Sequence, residues 1–215
     1  MINIAVPGLN GRMSTAIRDQ ISRAEDLKLV GIDNNPDVLI DFTAPTAVLE
    51  HLDYCLQHNI AMVIGVTGFS EEQFKLIETG ATQIPIVLSA NMSIGVNICY
   101  KLLSQAAKLF DSSWNVKVSD VHHQHKKDSP SGTAKHMARV IAAEREVDTA
   151  SIEITSERRG EVIGEHMVTF ATAAETVTIS HTANTRDVFA LGAINAARWV
   201  NGKKPGFYTM NDIIG

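Results

Sequence analysis

Cysteine is nearly missing from the 215 residues: Cys55 and Cys99 are the only two, and both lie in apolar segments. Two such thiols do not frame a disulfide-stapled fold, and they fit a reducing compartment. No apolar run approaches the roughly eighteen residues that a membrane-spanning helix requires. The opening Met1-Ile2-Asn3-Ile4-Ala5-Val6 enters a strand pattern at once, with no basic leader, so a soluble, cytoplasmic protein is expected, with no membrane partner. The net charge is −5, no block of lysine and arginine occurs, and no basic residues interleave with aromatics, which argues against a nucleic-acid partner. Internal repeats and low-complexity tracts are absent as well. The chain is long enough to bury a core as one domain or two, and a small molecule is the expected partner.

What is present concentrates in His122-His123-Gln124-His125-Lys126-Lys127-Asp128-Ser129-Pro130-Ser131-Gly132-Thr133. Before it, Trp114, Val116 and Val118 alternate with polar residues, the signature of a half-buried strand, so the loop is expected to hang from a rigid strand edge. After it, Ala134, Met137, Ala138 and Ile141 recur at helical spacing, which starts a helix near Ser131. The first turn of a helix leaves N–H groups unpaired and carries the positive end of the dipole, so Ser131, Gly132 and Thr133 form an anion site. With Lys126 and Lys127 upstream and histidines that exchange protons near neutral pH, the implied ligand is a small acid. The spacing H-H-x-H is not that of a helical zinc pair and both cysteines are remote, so no metal is expected.

The first half alternates strands and helices. Ile2 to Val6 reads as a strand, Pro7 to Ser14 as a glycine turn, and a helix follows with Met13, Ile17 and Ile21 on one side. Gly8 permits a tight turn and Gly11 a close approach to the helix N-terminus, as in a dinucleotide site; a plain βα turn is the competing reading. Asp33 ends the next strand 22 residues beyond Gly11, a separation suited to binding ribose hydroxyls, and it also reads as a turn aspartate beside Asn34, Asn35 and Pro36. No helix fits between Asp33 and the strand Asp37 to Phe42, so a bare crossover is expected. A helix over 46–58, a strand over 61–64, a helix over 70–79 begun by the Ser70/Gln73 capping box, a strand over 84–88 and a long helix from Ile94 to about Phe110 follow. Nearly continuous apolar strands imply a parallel sheet covered on both faces, with ligands at its carboxyl ends. Beyond the loop and its helix the pattern changes. Residues 151–155, 165–171 and 176–182 alternate as an antiparallel meander, and Asp187 to Val200 forms a final helix. The expected fold is α/β: a Rossmann-like parallel sheet plus a smaller α+β domain with an open, mostly antiparallel sheet.

The motif His122-His123-x-His125-Lys126-x-Asp128-x-Pro130-Ser131-Gly132-Thr133-Ala134, with Gly8-x-x-Gly11-Arg12-Met13, Asp37 to Pro45, Ala90-Asn91-x-Ser93-x-Gly95-Val96-Asn97 and Gly164-Glu165-His166, resembles the 4-hydroxy-tetrahydrodipicolinate reductases of bacterial lysine biosynthesis, nearly end to end. The resemblance implies a dinucleotide-binding domain of residues 1–93 with 186–215, and a substrate-binding and oligomerisation domain of 94–185 that builds a homotetramer. It implies His122 as proton donor, Lys126 as its catalytic partner, and His123, Ser131, Gly132 and Thr133 as holders of a dicarboxylate substrate. On the cofactor side it falls on Gly8, Leu9, Asn10, Gly11, Arg12 and Met13, on Asp33, on Gly65, Val66 and Thr67, and on Ala90, Asn91, Met92 and Ser93. The resemblance implies NADH or NADPH as the cofactor, and NADH is expected to be preferred because Asp33 would repel a 2′-phosphate. Ser14 stands where the family has a third glycine and Val66 where it commonly has threonine. The segments after Asp33 and around Arg158-Arg159-Gly160 are short. Two other readings stay open: a dinucleotide sensor without turnover, and a semialdehyde reductase. The second calls for a cysteine at a strand end, whereas Cys55 and Cys99 fall in helical patterns.

Overall fold

The computed structural model describes all residues, Met1–Gly215, and the chain divides into two compact units: Met1–Ile94 with Asp187–Gly215, and Gly95–Arg186.

The first unit is built on a parallel six-stranded sheet in the order β10-β5-β4-β3-β1-β2. Its strands are β1 (Ile2–Ala5), β2 (Leu27–Val30), β3 (Val38–Asp41), β4 (Ala61–Ile64), β5 (Pro85–Leu88) and β10 (Gly206–Tyr208). Successive strand side chains point to opposite faces, so a continuous apolar strand feeds two cores. Val38, Ile40 and Val63 face one core with Ile17 and Ile21 of α1 (Arg12–Ser22) and Ala193 and Ala197 of α6 (Asp187–Val200). Leu39, Met62 and Ile64 face the other with Val48 and Leu52 of α2 (Pro45–His58) and Ile77 of α3 (Glu71–Gly80). Between β2 and β3 the chain crosses with no helix, as expected from its length. The tail was missed in the sequence: β10 joins the sheet edge beside β5, and α7 (Met210–Ile214) follows it.

The second unit is a four-stranded sheet in the order β7-β6-β8-β9, comprising β6 (Asn115–His122), β7 (Glu153–Arg158), β8 (Gly164–Ala171) and β9 (Thr176–Ala183). Its helices are α4 (Ile94–Leu109) and α5 (Gly132–Arg145), and a 3-10 turn spans Thr149–Ser151. Val118, Val168 and Phe170 meet Leu103 of α4 and Met137 and Ile141 of α5 in one core.

Two expectations are corrected. The strand before the histidine loop does not lie at an edge: β6 runs on to His122 and is flanked by β7 and β8. Nor do the last three strands form a plain meander. β7 pairs parallel to β6, because α5 carries the chain across between them, while β6–β8 and β8–β9 are antiparallel.

Candidate functional site

The glycine turn follows the carboxyl end of β1, which lies between β3 and β2 in the sheet. Gly8 has φ +78°, and a Cβ there would lie 3.1 Å from Cγ2 of Thr43 and 3.3 Å from Oγ of Ser14. Gly11 is the N-cap of α1 with no side-chain cap, so the helix N-terminus is open to an anion. Ser14, which replaces the third glycine, is buried, and its Oγ donates to the Pro7 carbonyl at 2.9 Å, tying the turn down. Arg18 donates to the carbonyls of Val6 and Leu9 from beneath. A cavity of about 290 Å³ lies beside this turn, bordered by Gly8, Leu9, Arg18, Gly31, Ile32 and His51.

Leu9, Asn10 and Arg12 are exposed and Met13 half-buried, whereas Val66 and Met92 are buried. Gly65 is glycine because a Cβ would fall 2.3 Å from the Phe42 ring; Thr67 beyond it is exposed. Ala90 is exposed in the turn after β5, where Ser89 Oγ donates to the Asn91 carbonyl and the Ser93 N–H to Asn91 Oδ1, both at 2.9 Å. Asp33 is exposed in a turn closed by the Asn34 N–H on the Gly31 carbonyl, three residues past the end of β2.

Missed in the sequence was Asp41. It is fully buried at the end of β3, accepts from the Thr43 N–H and Oγ, and lies 2.6 Å from Nδ1 of His51. That hydrogen bond raises the His51 pKa against the opposing effect of burial.

The histidine loop and its surroundings lie within the second unit. His122 is the last residue of β6 and is 8 % exposed, so of the three clustered histidines it alone is held by the sheet. Its Nδ1 lies 2.9 Å from Oδ1 of Asp120, two residues earlier on the same strand face. The approach is close but poorly aligned, and neither atom completes a well-formed hydrogen bond.

Asp120 is fully buried, and its Oδ2 accepts from the Ser131 N–H at 3.0 Å and lies 3.3 Å from Ser156 Oγ and 3.4 Å from the Arg158 guanidinium. Burial opposes its ionisation, but His122 and Ser131 outweigh it and hold the carboxyl well below the usual carboxylate range. His166 on β8 approaches Asp120 Oδ1 at 3.5 Å and Ser131 Oγ at 3.4 Å. Burial first, then the neighbouring His122, depress its pKa to about 4, which keeps it neutral near pH 7.

Ser131 caps α5 as expected, its Oγ accepting from the Ala134 N–H. Gly132 is exposed and a Cβ there would meet nothing within 4 Å, and Thr133 follows it in the first turn. Lys126 is 22 % exposed and pairs with Asp128 at 2.8 Å, while Lys127 is exposed. His123 sits 3.4 Å from the Arg186 guanidinium. Asp120, His122 and His166 each place a potential metal ligand atom within 4.8 Å of the others. Arg158 lies beside the same carboxylate, its guanidinium 3.4 Å from Asp120 Oδ2. Asp120 and His166 were legible as partners only once β6 was known to reach His122.

Residues 31–92 match the family model described as dihydrodipicolinate reductase, N-terminus, and residues 95–214 the one described as dihydrodipicolinate reductase, C-terminus. The 4-hydroxy-tetrahydrodipicolinate reductase of Nitrosomonas eutropha is 38 % identical over 266 residues, covering 100 % of this chain and 98 % of the relative. That of Syntrophotalea carbinolica is 36 % identical over 265 residues, covering 100 % and 99 %. Among solved structures, a dipicolinate-bound dihydrodipicolinate reductase from Paenisporosarcina sp. TG-14 superposes with a TM-score of 0.84 at 25 % identity, over 98 % of this chain and 99 % of that one. The chain belongs to the dihydrodipicolinate reductase family.

Proposed function

We propose that the chain reduces 4-hydroxy-tetrahydrodipicolinate to tetrahydrodipicolinate in lysine and diaminopimelate biosynthesis. The observation that carries this reading is His122, fixed at the end of β6 beside Asp120 and ten residues before the capped N-terminus of α5, in a chain that its relatives match along its whole length. The residues of the first unit fit a dinucleotide: Gly8, at φ +78°, makes the tight turn after β1, and the N-terminus of α1 has no side-chain cap, so its backbone N–H groups are left to face a pyrophosphate. When bound there, the nicotinamide cofactor supplies the hydride.

Loss of water from the substrate leaves a carbon–carbon double bond; hydride adds to one of its carbons, and His122 gives a proton to the other. The backbone of Gly132 and Thr133, with His123, Ser131 and Lys126, holds the dicarboxylate, and Lys126 stabilises charge that develops as the proton moves. In a coupled assay, substrate is generated in situ from pyruvate and aspartate semialdehyde and NADH absorbance is followed. Absorbance is expected to fall only when both precursors are present. A chain that binds NADH without oxidising it is instead a dinucleotide sensor.

NADH is preferred over NADPH in this reading. Asp33 carries a negative charge beyond β2, and Asn34, Asn35 and Pro36 carry no cation to offset a 2′-phosphate. Repulsion at so exposed a site amounts to on the order of 1 kcal/mol, a preference of about several-fold that salt weakens. The ratio of kcat/KM for the two cofactors checks it in the native chain and in Asp33→Ala; a ratio that the substitution leaves unchanged removes Asp33 from cofactor choice. A homotetramer forms through the uncovered face of the second sheet, where Met167 is 42 % exposed. Analytical ultracentrifugation distinguishes a tetramer from a monomer.

A further inference from the structure

We infer that Asp120 is a positioning residue: it holds a proton on Nδ1 of His122 and so leaves Nε2 as the nitrogen that exchanges a proton with the substrate. The inference rests on the reading of His122 as proton donor and adds the group that sets its tautomer and orientation.

Three observations support it. The nearest group to His122 Nδ1 is a fully buried carboxylate oxygen at 2.9 Å, which accepts and cannot donate. The opposite ring edge borders Gly164, where an added Cβ would stand 3.1 Å from Nε2. Glycine there keeps that side clear. Finally, the same carboxylate receives the N–H of Ser131, the cap of α5. One side chain therefore fixes both the donor and the start of the helix that holds the substrate's charge. The poor alignment at 2.9 Å is of the kind that tightens when substrate settles. His166, kept neutral, completes the wall without competing for the carboxylate as a second cation.

Asp120→Asn isolates the histidine side. The amide oxygen retains the Ser131 N–H and the Arg158 guanidinium, while the amide NH₂ turns toward His122 and donates where the carboxylate accepted. The ring must then carry its proton on Nε2. The wrong tautomer should lower kcat by about 10²-fold or more while substrate KM and NADH affinity change little. In an Asp120→Asn/His122→Gln double variant, kcat should be no lower than in His122→Gln alone, because Asp120 acts only through the ring.

Nitrogen NMR of ring-labelled native protein, taken at a pH where His122 is neutral, reads the tautomer without any variant. A proton on Nδ1 is expected, and a proton on Nε2 overturns the inference. So does an Asp120→Asn enzyme with native kcat in a protein where His122→Gln is impaired. If His122→Gln turns over normally while the NMR still shows the Nδ1 proton moving in Asp120→Asn, the pairing is real but the donor reading is wrong.

Discussion

Lys126 and Lys127 are neighbours in sequence and opposites in setting. Lys126 is mostly covered and holds Asp128, whereas Lys127 faces solvent. Lys126→Ala should therefore reduce kcat and raise substrate KM together, and Lys127→Ala should change both by less than about twofold. Equal losses in steady-state kinetics would mean that the second lysine, too, serves the substrate. His166 predicts an acid-side stability slope. Its folded pKa, about 4, lies below the 6.5 of an unperturbed histidine, so the unfolded chain binds the extra proton first. The native state keeps this contribution above pH 6.5 and loses it as pH falls toward 4, up to roughly 3 kcal/mol. Urea unfolding between those values should show the slope, and His166→Gln should flatten it. His51 has the opposite sign: its raised pKa gives stability that is fully present below 6.5 and declines as pH rises above it. Residue types at special local positions were legible in the sequence, such as Ser131 at a cap and Gly8 in a turn. Asp120 and His166 were not, because their meaning depends on strand pairing between residues far apart, such as Asp120 with His166.

Helix α6 packs so closely that Gly192 lies against the backbone of Met92, where an added Cβ would fall 1.7 Å from the Met92 carbonyl oxygen. Alanine is the better helix former by about 1 kcal/mol, yet Gly192→Ala should destabilise the protein by about 1–3 kcal/mol or more through overpacking. It should also raise the KM for NADH, because the displaced backbone belongs to the Ala90–Ser93 turn assigned to the cofactor. Thermal melts and cofactor titration check both effects; a melting temperature at or above the native value contradicts the tight approach. Elements with local signatures were readable. The Ser70/Gln73 capping box sits at the start of α3, and the bare crossover after Asp33 follows from its length. The parallel return of β7 beside β6 was not, since alternation in a strand says which face is buried and nothing about the partner or its direction. β10, three residues of partly buried sequence after a helix, carries too short a pattern to declare itself.

At the scale of the molecule, two units of different sheet type carry one family's sequence from end to end, with less chain than their relatives: the alignment to the Nitrosomonas eutropha protein runs over 266 residues and this chain has 215. The glycine turn, the Ser89–Ser93 turn and the histidine loop all lie within these 215 residues, and the proposed chemistry rests on them. If a proton leaves His122 as hydride is delivered, the decisive measurement is kcat for His122→Gln against the native chain in the coupled assay, with NADH affinity measured alongside by fluorescence. A loss of about 10²–10⁴-fold in kcat with NADH affinity nearly intact is expected. A variant that binds NADH normally and turns over at the native rate would contradict it.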